Sequence, residues 1–200
     1  MGNNNSKAVS TIILVGLEKA GKSLFMKKIL ELKKKEKEIT KLEPTLGFNY
    51  ITYDFLNIVY HIWELGGDAL TRTYWSTFYR SLAVNMVVYI VNIYDEQNYP
   101  LAIKEFIKLV NEEELKIAKF TLIFNIKIDD KNKRLTFSEQ DMNEVKLKVE
   151  YFLLQIQESP LHDFDNRVNY FVFDISKLKD GEFNSMKMLS KCFMIDKEFS

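Results

Sequence analysis

The feature that most constrains this chain is a glycine-containing octapeptide directly after a short apolar run. The run at 11–15 reads Thr-Ile-Ile-Leu-Val, and the octapeptide at 16–23 fits the pattern G-x-x-x-x-G-K-[ST] in full. A β-branched run without polar alternation is typical of a strand buried on both faces, as in a parallel sheet. Such a strand, followed by this octapeptide and a helix beginning near Lys22, predicts a phosphate-binding loop.

Each fixed position of the loop has a chemical reason. Gly16 and Gly21 let the backbone curl so that successive N–H groups point at phosphate oxygens. The following helix adds the positive end of its dipole. The Lys22 ammonium is expected to reach the β- and γ-phosphates, and the Ser23 hydroxyl to coordinate Mg²⁺. The predicted phosphate-binding residues are Gly16, Leu17, Glu18, Lys19, Ala20, Gly21, Lys22 and Ser23.

The remaining apolar runs predict the fold class. Runs at 86–91, 120–124 and 168–173 alternate with helical patterns, as expected for further parallel strands. The runs at 50–55 and 58–63 lie too close together for a helical crossover and predict an antiparallel hairpin. We therefore expect an α/β protein with a mostly parallel six-stranded sheet, helices on both faces and one antiparallel edge strand. Ligands of such folds bind beyond the carboxyl ends of the strands.

Length and composition limit the number of domains and the classes of protein to which this chain can belong. The chain has 200 residues and a formal net charge of zero, so 11–200 is expected to form one domain after a flexible segment at 1–10. Neutral charge gives no support for nucleic-acid binding. The single cysteine, Cys192, excludes an intrachain disulfide. No run approaches the roughly 18 apolar residues of a membrane-spanning helix. The Lys- and Glu-rich stretch at 31–41 is expected to be a solvated surface.

Two further motifs flank the predicted hairpin. Pro-Thr-Leu-Gly-Phe-Asn precedes it at 44–49, and Trp-Glu-Leu-Gly-Gly-Asp follows at 63–68. With the loop at 16–23, these motifs resemble the Arf/Arl (ADP-ribosylation-factor-like) family of small GTPases, whose patterns are P-T-x-G-F-N and W-D-x-G-G-Q. The resemblance extends from about residue 12 to the last helix. It implies the P-loop NTPase (small G-protein) fold, with GTP or GDP and Mg²⁺ as ligands.

The resemblance also implies roles for matching positions. Thr45 would bind Mg²⁺ and sense the γ-phosphate, and Gly67 would donate its backbone N–H to that phosphate. The hairpin would shift register between the GDP and GTP states. Phe48, Trp63 and Phe78 would form an exposed aromatic cluster read by effector proteins. Ordinary core packing is the alternative for these three rings.

Two residues depart from the family pattern. The glutamine that orients the attacking water is Asp68 here, whose negative charge beside an anionic γ-phosphate should oppose hydrolysis. The aspartate of W-D-x-G-G is Glu64, whose longer arm is expected to alter the geometry around Mg²⁺. Catalysis would depend on Lys22 and on Asp68, which stands at the position of the water-orienting glutamine.

After the run at 120–124, residues 126–129 resemble the base-reading N-K-x-D motif of small GTPases. Lys127 would cover the purine face, and Asp129 would accept two hydrogen bonds from guanine, a donor pair that adenine lacks. Ile126 stands at the position of the motif's asparagine, and we do not expect Asn125 to take over its contacts, so binding should be weaker. Ile175 stands in the last base-contacting loop, where the family usually has alanine.

The first six residues fit M-G-x-x-x-[ST], an N-myristoylation signal with Gly2 as the acceptor, although a plain flexible terminus is the alternative. One myristoyl chain gives only marginal, reversible anchoring. We therefore expect a cytoplasmic protein that associates peripherally and reversibly with membranes.

The leading functional prediction is a monomeric, GTP-operated switch in membrane trafficking or in ciliary or cytoskeletal regulation. An exchange factor, a GTPase-activating protein and effectors would be its partners, and its intrinsic hydrolysis would be slow. The main alternative is a pseudo-GTPase, an interaction module that binds nucleotide weakly or does not hydrolyse it. A P-loop kinase or adenine ATPase is a third reading, against which Asp129 and the motif at 63–67 argue. Arg72 and Arg80 are expected to pack or be solvated, and neither is expected to act as an internal arginine finger.

Overall fold

A computed structural model describes residues 7–32, 47–55, 57–126, 138–158, 164–178 and 191–193. Within these ranges the strands are β1 (Ala8–Val15), β2 (Phe48–Phe55), β3 (Ile58–Leu65), β4 (Met86–Asn92), β5 (Lys119–Asn125) and β6 (Val168–Phe173). The helices are α1 (Lys22–Leu32), α2 (Ala69–Arg72), α3 (Trp75–Ser81), α4 (Tyr99–Val110), α5 (Glu139–Gln157) and α6 (Phe164–Arg167).

The strands form one six-stranded sheet in the order β2-β3-β1-β4-β5-β6. Strand β2 runs antiparallel to β3, and all other neighbouring pairs are parallel. The predicted hairpin and antiparallel edge strand are therefore confirmed. The carboxyl ends of β1, β3, β4 and β5 meet at one edge of the sheet, where the predicted phosphate-binding loop begins.

Strand β1 is longer than the sequence predicts. It begins at Ala8, and Ala8, Val9 and Ser10 pair with 58–60 of β3. These three residues belong to the sheet, which corrects the expectation that all of 1–10 is a flexible segment. Their backbone groups are satisfied by a neighbouring strand, so the pairing needs no apolar side chain to favour it.

The core has two layers, one on each face of the sheet. Helices α4 and α5 cover one face, where Phe106 and Phe152 pack against the rings of Tyr89 and Phe124. Helix α1 covers the other face, with its fully buried Ile29 in a second cluster. The prediction of helices on both faces is confirmed. Two buried layers hold the sheet rigid beneath the loops at its carboxyl edge.

Local signals explain where the helices begin. The Ser138 hydroxyl accepts a hydrogen bond from the Asp141 N–H, and the Asp141 carboxylate accepts one from the Ser138 N–H, which forms a capping box for α5. Helix α4 has Pro100 in its first turn, where a missing N–H costs nothing. No helix among the described residues combines the length and apolarity needed to cross a bilayer.

Candidate functional site

The predicted phosphate-binding loop joins β1 to α1 at the carboxyl edge of the sheet. Its backbone has positive φ at Gly16 (141°), Lys19 (61°) and Gly21 (111°). A Cβ on Gly16 would lie 2.3 Å from the carbonyl oxygen of Ile90, so this position admits only glycine. The loop therefore has the tight backbone that the motif predicts.

The side chain of Lys22 turns back beneath the loop. Its ammonium donates hydrogen bonds to the carbonyl oxygens of Gly16 (3.0 Å) and Leu17 (2.9 Å). Burial lowers the pKa of Lys22 from 10.5 to about 8, an effect that the carboxylate of Glu64 partly opposes. These two bonds use two of the three N–H groups of the ammonium. A phosphate bound in the loop would receive the third and would stabilise the charged form.

Ser23, Glu64 and Asn49 form a second polar group beside the loop. The Ser23 hydroxyl donates a short hydrogen bond to Oε1 of Glu64, and the Asn49 amide donates one of 2.9 Å to Oε2. The Glu64 side chain is 1% exposed. A buried carboxylate is costly without such donors, so these bonds fix its position.

The Ser23 hydroxyl and the Glu64 carboxylate fit a divalent cation of the magnesium type. Both supply oxygen, the donor that Mg²⁺ prefers, and Mg²⁺ commonly binds one or two protein groups together with substrate phosphates. Among the described residues no group of three or more His, Cys, Asp or Glu side chains could hold a metal ion. These two protein groups would therefore hold the cation together with oxygen atoms of a bound phosphate.

Gly67 lies directly on the phosphate-binding loop. Its carbonyl oxygen accepts hydrogen bonds from the Glu18 N–H (3.2 Å) and from Nη1 of Arg72 (2.7 Å). A Cβ on Gly67 would lie 2.5 Å from the Lys22 Nζ and from backbone atoms of Gly16 and Leu17. The structure thus brings Gly67 and Lys22 together, and no other residue type fits at this contact.

The Asp68 carboxylate turns towards α2 and caps it. It accepts hydrogen bonds from the N–H groups of Leu70 and Thr71, both 3.0 Å, and from the Thr71 hydroxyl. These bonds lower the pKa of Asp68, the Thr71 hydroxyl having the largest effect, so the side chain stays anionic. A carboxylate held in this way is poorly suited to orient a water molecule.

Arg72 was expected only to pack or be solvated, but it connects two parts of the site. Besides its bond to the Gly67 carbonyl, it forms an ion pair of 3.4 Å with Glu105 on α4. The hydrogen-bonded segment after β3 is therefore anchored to a helix in the core layer. The sequence offers no spacing signal for this contact because 33 positions separate the two residues.

Asn125 corrects a prediction about the base-reading motif. Its side-chain amide donates to the Ala20 carbonyl (3.0 Å), and its amide oxygen accepts from the Ile175 N–H (3.3 Å). The expectation that Asn125 would not take over the asparagine's contacts is therefore wrong for the contact with the phosphate-binding loop. Asn125 is the last residue of β5 and is 2% exposed, whereas Ile126 packs into the core layer of α4 and α5.

The predicted aromatic cluster forms at the surface. The ring of Phe48 lies 5.4 Å from that of Trp63 and 5.2 Å from that of Phe78, measured between centroids. Phe48 is 51% exposed, whereas Trp63 and Phe78 also contact the core. Tyr50, which sequence reasoning did not include, lies 4.5 Å from Trp63 and extends the cluster along β2. The alternation of β2 was the signal that could have included it.

Four predicted functional residues lie outside the described residues: Gly2, Thr45, Lys127 and Asp129. Their proposed roles in lipidation, Mg²⁺ binding and guanine recognition stay predictions. Ile175 is described, and its backbone meets Asn125 beside the loop.

Known proteins are similar to this chain in sequence and in fold. ADP-ribosylation factor-like protein 1 of Saccharomyces cerevisiae is 32% identical over 139 residues, which are 68% of this chain and 71% of that protein. ADP-ribosylation factor 1 of Brassica rapa subsp. pekinensis is 34% identical over 118 residues, which are 59% of this chain and 60% of that protein. The chain therefore spans less than two thirds of this plant relative.

A solved structure and a family model complete the comparison. The Arl6 (BBS3) small GTPase of Trypanosoma brucei, solved with the nucleotide analogue GppNp, superposes with a TM-score of 0.62. The match has 15% sequence identity and covers 92% of this chain and 96% of that one, so it supports the fold alone. The sequence model of the ADP-ribosylation factor family matches residues 2–179. This chain therefore belongs to the ADP-ribosylation factor family of small GTPases.

Proposed function

We propose that this protein is a GDP/GTP-operated switch whose intrinsic GTP hydrolysis is slow. The observation that carries the proposal is the contact of Gly67 with the loop at Lys22, where a Cβ would lie 2.5 Å from Nζ. Gly67 follows the hairpin directly, so a ligand in the loop meets the segment that leads to the aromatic cluster. A nucleotide switch requires a segment whose conformation depends both on the γ-phosphate and on a bound partner.

Each residue would have a defined task in nucleotide binding. The loop backbone would receive the phosphates, and Lys22 would neutralise charge on the β- and γ-phosphates. Ser23 and Thr45 would hold Mg²⁺, with the Glu64 carboxylate beside Ser23 completing the site, and the bound ion would neutralise phosphate charge. Gly67 would donate its N–H to the γ-phosphate. Lys127 and Asp129 would select guanine over adenine.

Slow hydrolysis follows from the environment of Asp68. Its carboxylate is engaged by the first turn of α2 and stays negatively charged. It therefore neither presents an amide to water nor relieves the charge of the γ-phosphate. A GTPase-activating protein would have to supply the missing groups.

The engaged Asp68 carboxylate also favours a second candidate function, a pseudo-GTPase that holds nucleotide without turnover. Amide hydrogen exchange separates the two functions, measured after loading with GDP or with the non-hydrolysable GppNHp. A switch should show different protection at 47–55 and 66–72 in the two states, and this difference should disappear in Lys22→Ala. Equal protection in both states would favour the interaction module.

The cellular setting is also part of the proposal. Gly2 would carry a myristoyl chain, which gives weak and reversible membrane contact. Effectors would dock on the cluster of Phe48, Trp63 and Phe78. A role in membrane trafficking or in ciliary or cytoskeletal regulation is consistent with such a surface. Metabolic labelling with a myristate analogue in wild type and Gly2→Ala tests the lipid anchor, and labelling that persists in the variant would contradict it.

A further inference from the structure

The aromatic cluster and the polar group at Ser23 belong to opposite faces of the same two strands. Successive side chains of a strand point to opposite sides of the sheet. On β2, Phe48 turns to the aromatic side and Asn49 to the polar side. On β3, Trp63 and Glu64 divide in the same way, and Asn49 stands directly opposite Glu64 in the ladder.

Asn49 is the β2 partner of the buried carboxylate. Its amide donates 2.9 Å to Oε2 of Glu64, while the Ser23 hydroxyl donates to Oε1. Each oxygen of Glu64 therefore has a donor from a different element: β2 on one side and α1 on the other. The Glu64 carboxylate thus bridges β2 and α1.

We propose that Asn49 is a positioning residue for the divalent-cation site, and that it couples this site to the aromatic surface on the other face of the hairpin. The inference rests on the proposed function, since it assumes that Ser23 binds Mg²⁺ beside a nucleotide. Removing a group that orients a metal ligand typically lowers metal affinity 10–100-fold. Because coupling is reciprocal, a partner that favours the arrangement of Phe48 and Trp63 found with bound Mg²⁺ would raise the affinity for Mg²⁺, and one that favours another arrangement would lower it.

The experiment measures release of fluorescent mant-GDP over a series of free Mg²⁺ concentrations, with an EDTA arm. Asn49→Ala should increase, by roughly tenfold or more, the Mg²⁺ concentration at which the slowing of mant-GDP release is half-maximal. It should leave the release rate in EDTA unchanged. Asn49→Leu, which is similar in size but carries no N–H donor and no charge, should shift this Mg²⁺ concentration in the same direction. Thr52→Ala, on the same strand, is the matched control and should behave as wild type.

Tryptophan emission of the GDP-loaded protein tests the coupling. Adding Mg²⁺ should change the emission of Trp63, with a midpoint that moves in Asn49→Ala as it does in the release assay. Trp63→Phe should remove this signal and Trp75→Phe should retain it. The second variant is needed because Trp75, although buried, donates a hydrogen bond of 2.9 Å to the Gly66 carbonyl.

Three results would overturn the inference. Unchanged Mg²⁺ dependence in both Asn49 variants would refute the positioning role while leaving the proposed function intact. A faster release in EDTA, with no change in the Mg²⁺ midpoint, would show that Asn49 is merely structural. A wild-type protein that binds no mant-GDP at all would refute the proposed function and this inference together.

Discussion

The side-chain amide of Asn125, at the end of β5, donates a hydrogen bond of 3.0 Å to the carbonyl oxygen of Ala20 in the phosphate-binding loop. Its oxygen accepts a hydrogen bond from the Ile175 N–H, so one buried amide joins the end of β5 to the phosphate-binding loop and to the segment after β6. Asn125→Ala should lower the free energy of unfolding by about 1–3 kcal/mol, since it leaves buried groups without partners. It should also weaken GDP binding. Chemical denaturation and a fluorescent GDP titration measure the two effects.

The neighbouring position supplies the control for Asn125. Ile126→Asn restores the family's residue where sequence alignment expects it, but Asn125 already makes the contact with the loop. We therefore expect Ile126→Asn to leave GDP affinity unimproved and to reduce stability, because Ile126 packs in the core. Tighter GDP binding in this variant would contradict the assignment of Asn125.

The lowered pKa of Lys22 predicts a pH dependence of nucleotide binding. Burial brings this pKa to about 8, and phosphates bind the protonated ammonium. GDP affinity should therefore fall as pH rises above about 8, by at most about tenfold per pH unit from this group. Lys22→Arg keeps its charge at every pH in this range and should lack this component. Equal pH profiles for both proteins would refute the role of Lys22 titration.

The same pKa has the opposite consequence for folding. Between pH 8 and 10.5 the unfolded chain retains a proton on Lys22 that the folded chain has lost. The contribution of this group to stability should therefore rise with pH across that window in the absence of nucleotide. Denaturation of wild type and Lys22→Met at pH 7.5 and 9.5 measures it, and the variant should show the smaller rise.

Substituting Asp68 tests the account of slow hydrolysis. Asp68→Gln should raise the rate of GTP hydrolysis, because a neutral amide replaces an anion beside the γ-phosphate. It should also loosen α2, because the cap on Leu70 and Thr71 is lost. Asp68→Asn removes the charge but retains a good capping residue, which separates the two effects. Single-turnover hydrolysis and thermal melting are the readouts, and an unchanged rate in both variants would remove this explanation.

Arg72 should stabilise the segment that follows β3. Arg72→Ala removes the bond to the Gly67 carbonyl and the ion pair with Glu105, so we expect a loss of roughly 1–3 kcal/mol in stability. Hydrogen exchange should rise at 66–72. Glu105→Gln keeps the bond to Gly67 and should have the smaller effect. If the two variants lose equal stability, the bond to Gly67 contributes little.

Much of the site could be predicted from the sequence because it depends on local patterns. The octapeptide after β1 predicts the loop, and the two apolar runs around 56–57 predict the hairpin. Both predictions depend on local sequence and not on contacts between distant elements. Gly67 was also identified from its motif, and the structure gives the steric reason for glycine there.

The contacts that the sequence did not predict are between distant elements. Asn125 meets Ala20 across 105 positions, and the spacing of Lys127 and Asp129 places Ile126, not Asn125, at the asparagine position of the motif. Strand alternation alone would have turned Asn125 and Ile126 to different sides. Arg72 was expected to pack or be solvated, and only the tertiary fold brings it to Glu105.

The most direct test of the central claim is a titration of the purified protein with fluorescent GDP and GTP, with and without Mg²⁺, in competition with ATP. The account predicts tight, Mg²⁺-dependent binding that GTP and GDP displace and ATP does not. Weak binding, or equal competition by ATP, would contradict it and leave an interaction module on a GTPase fold.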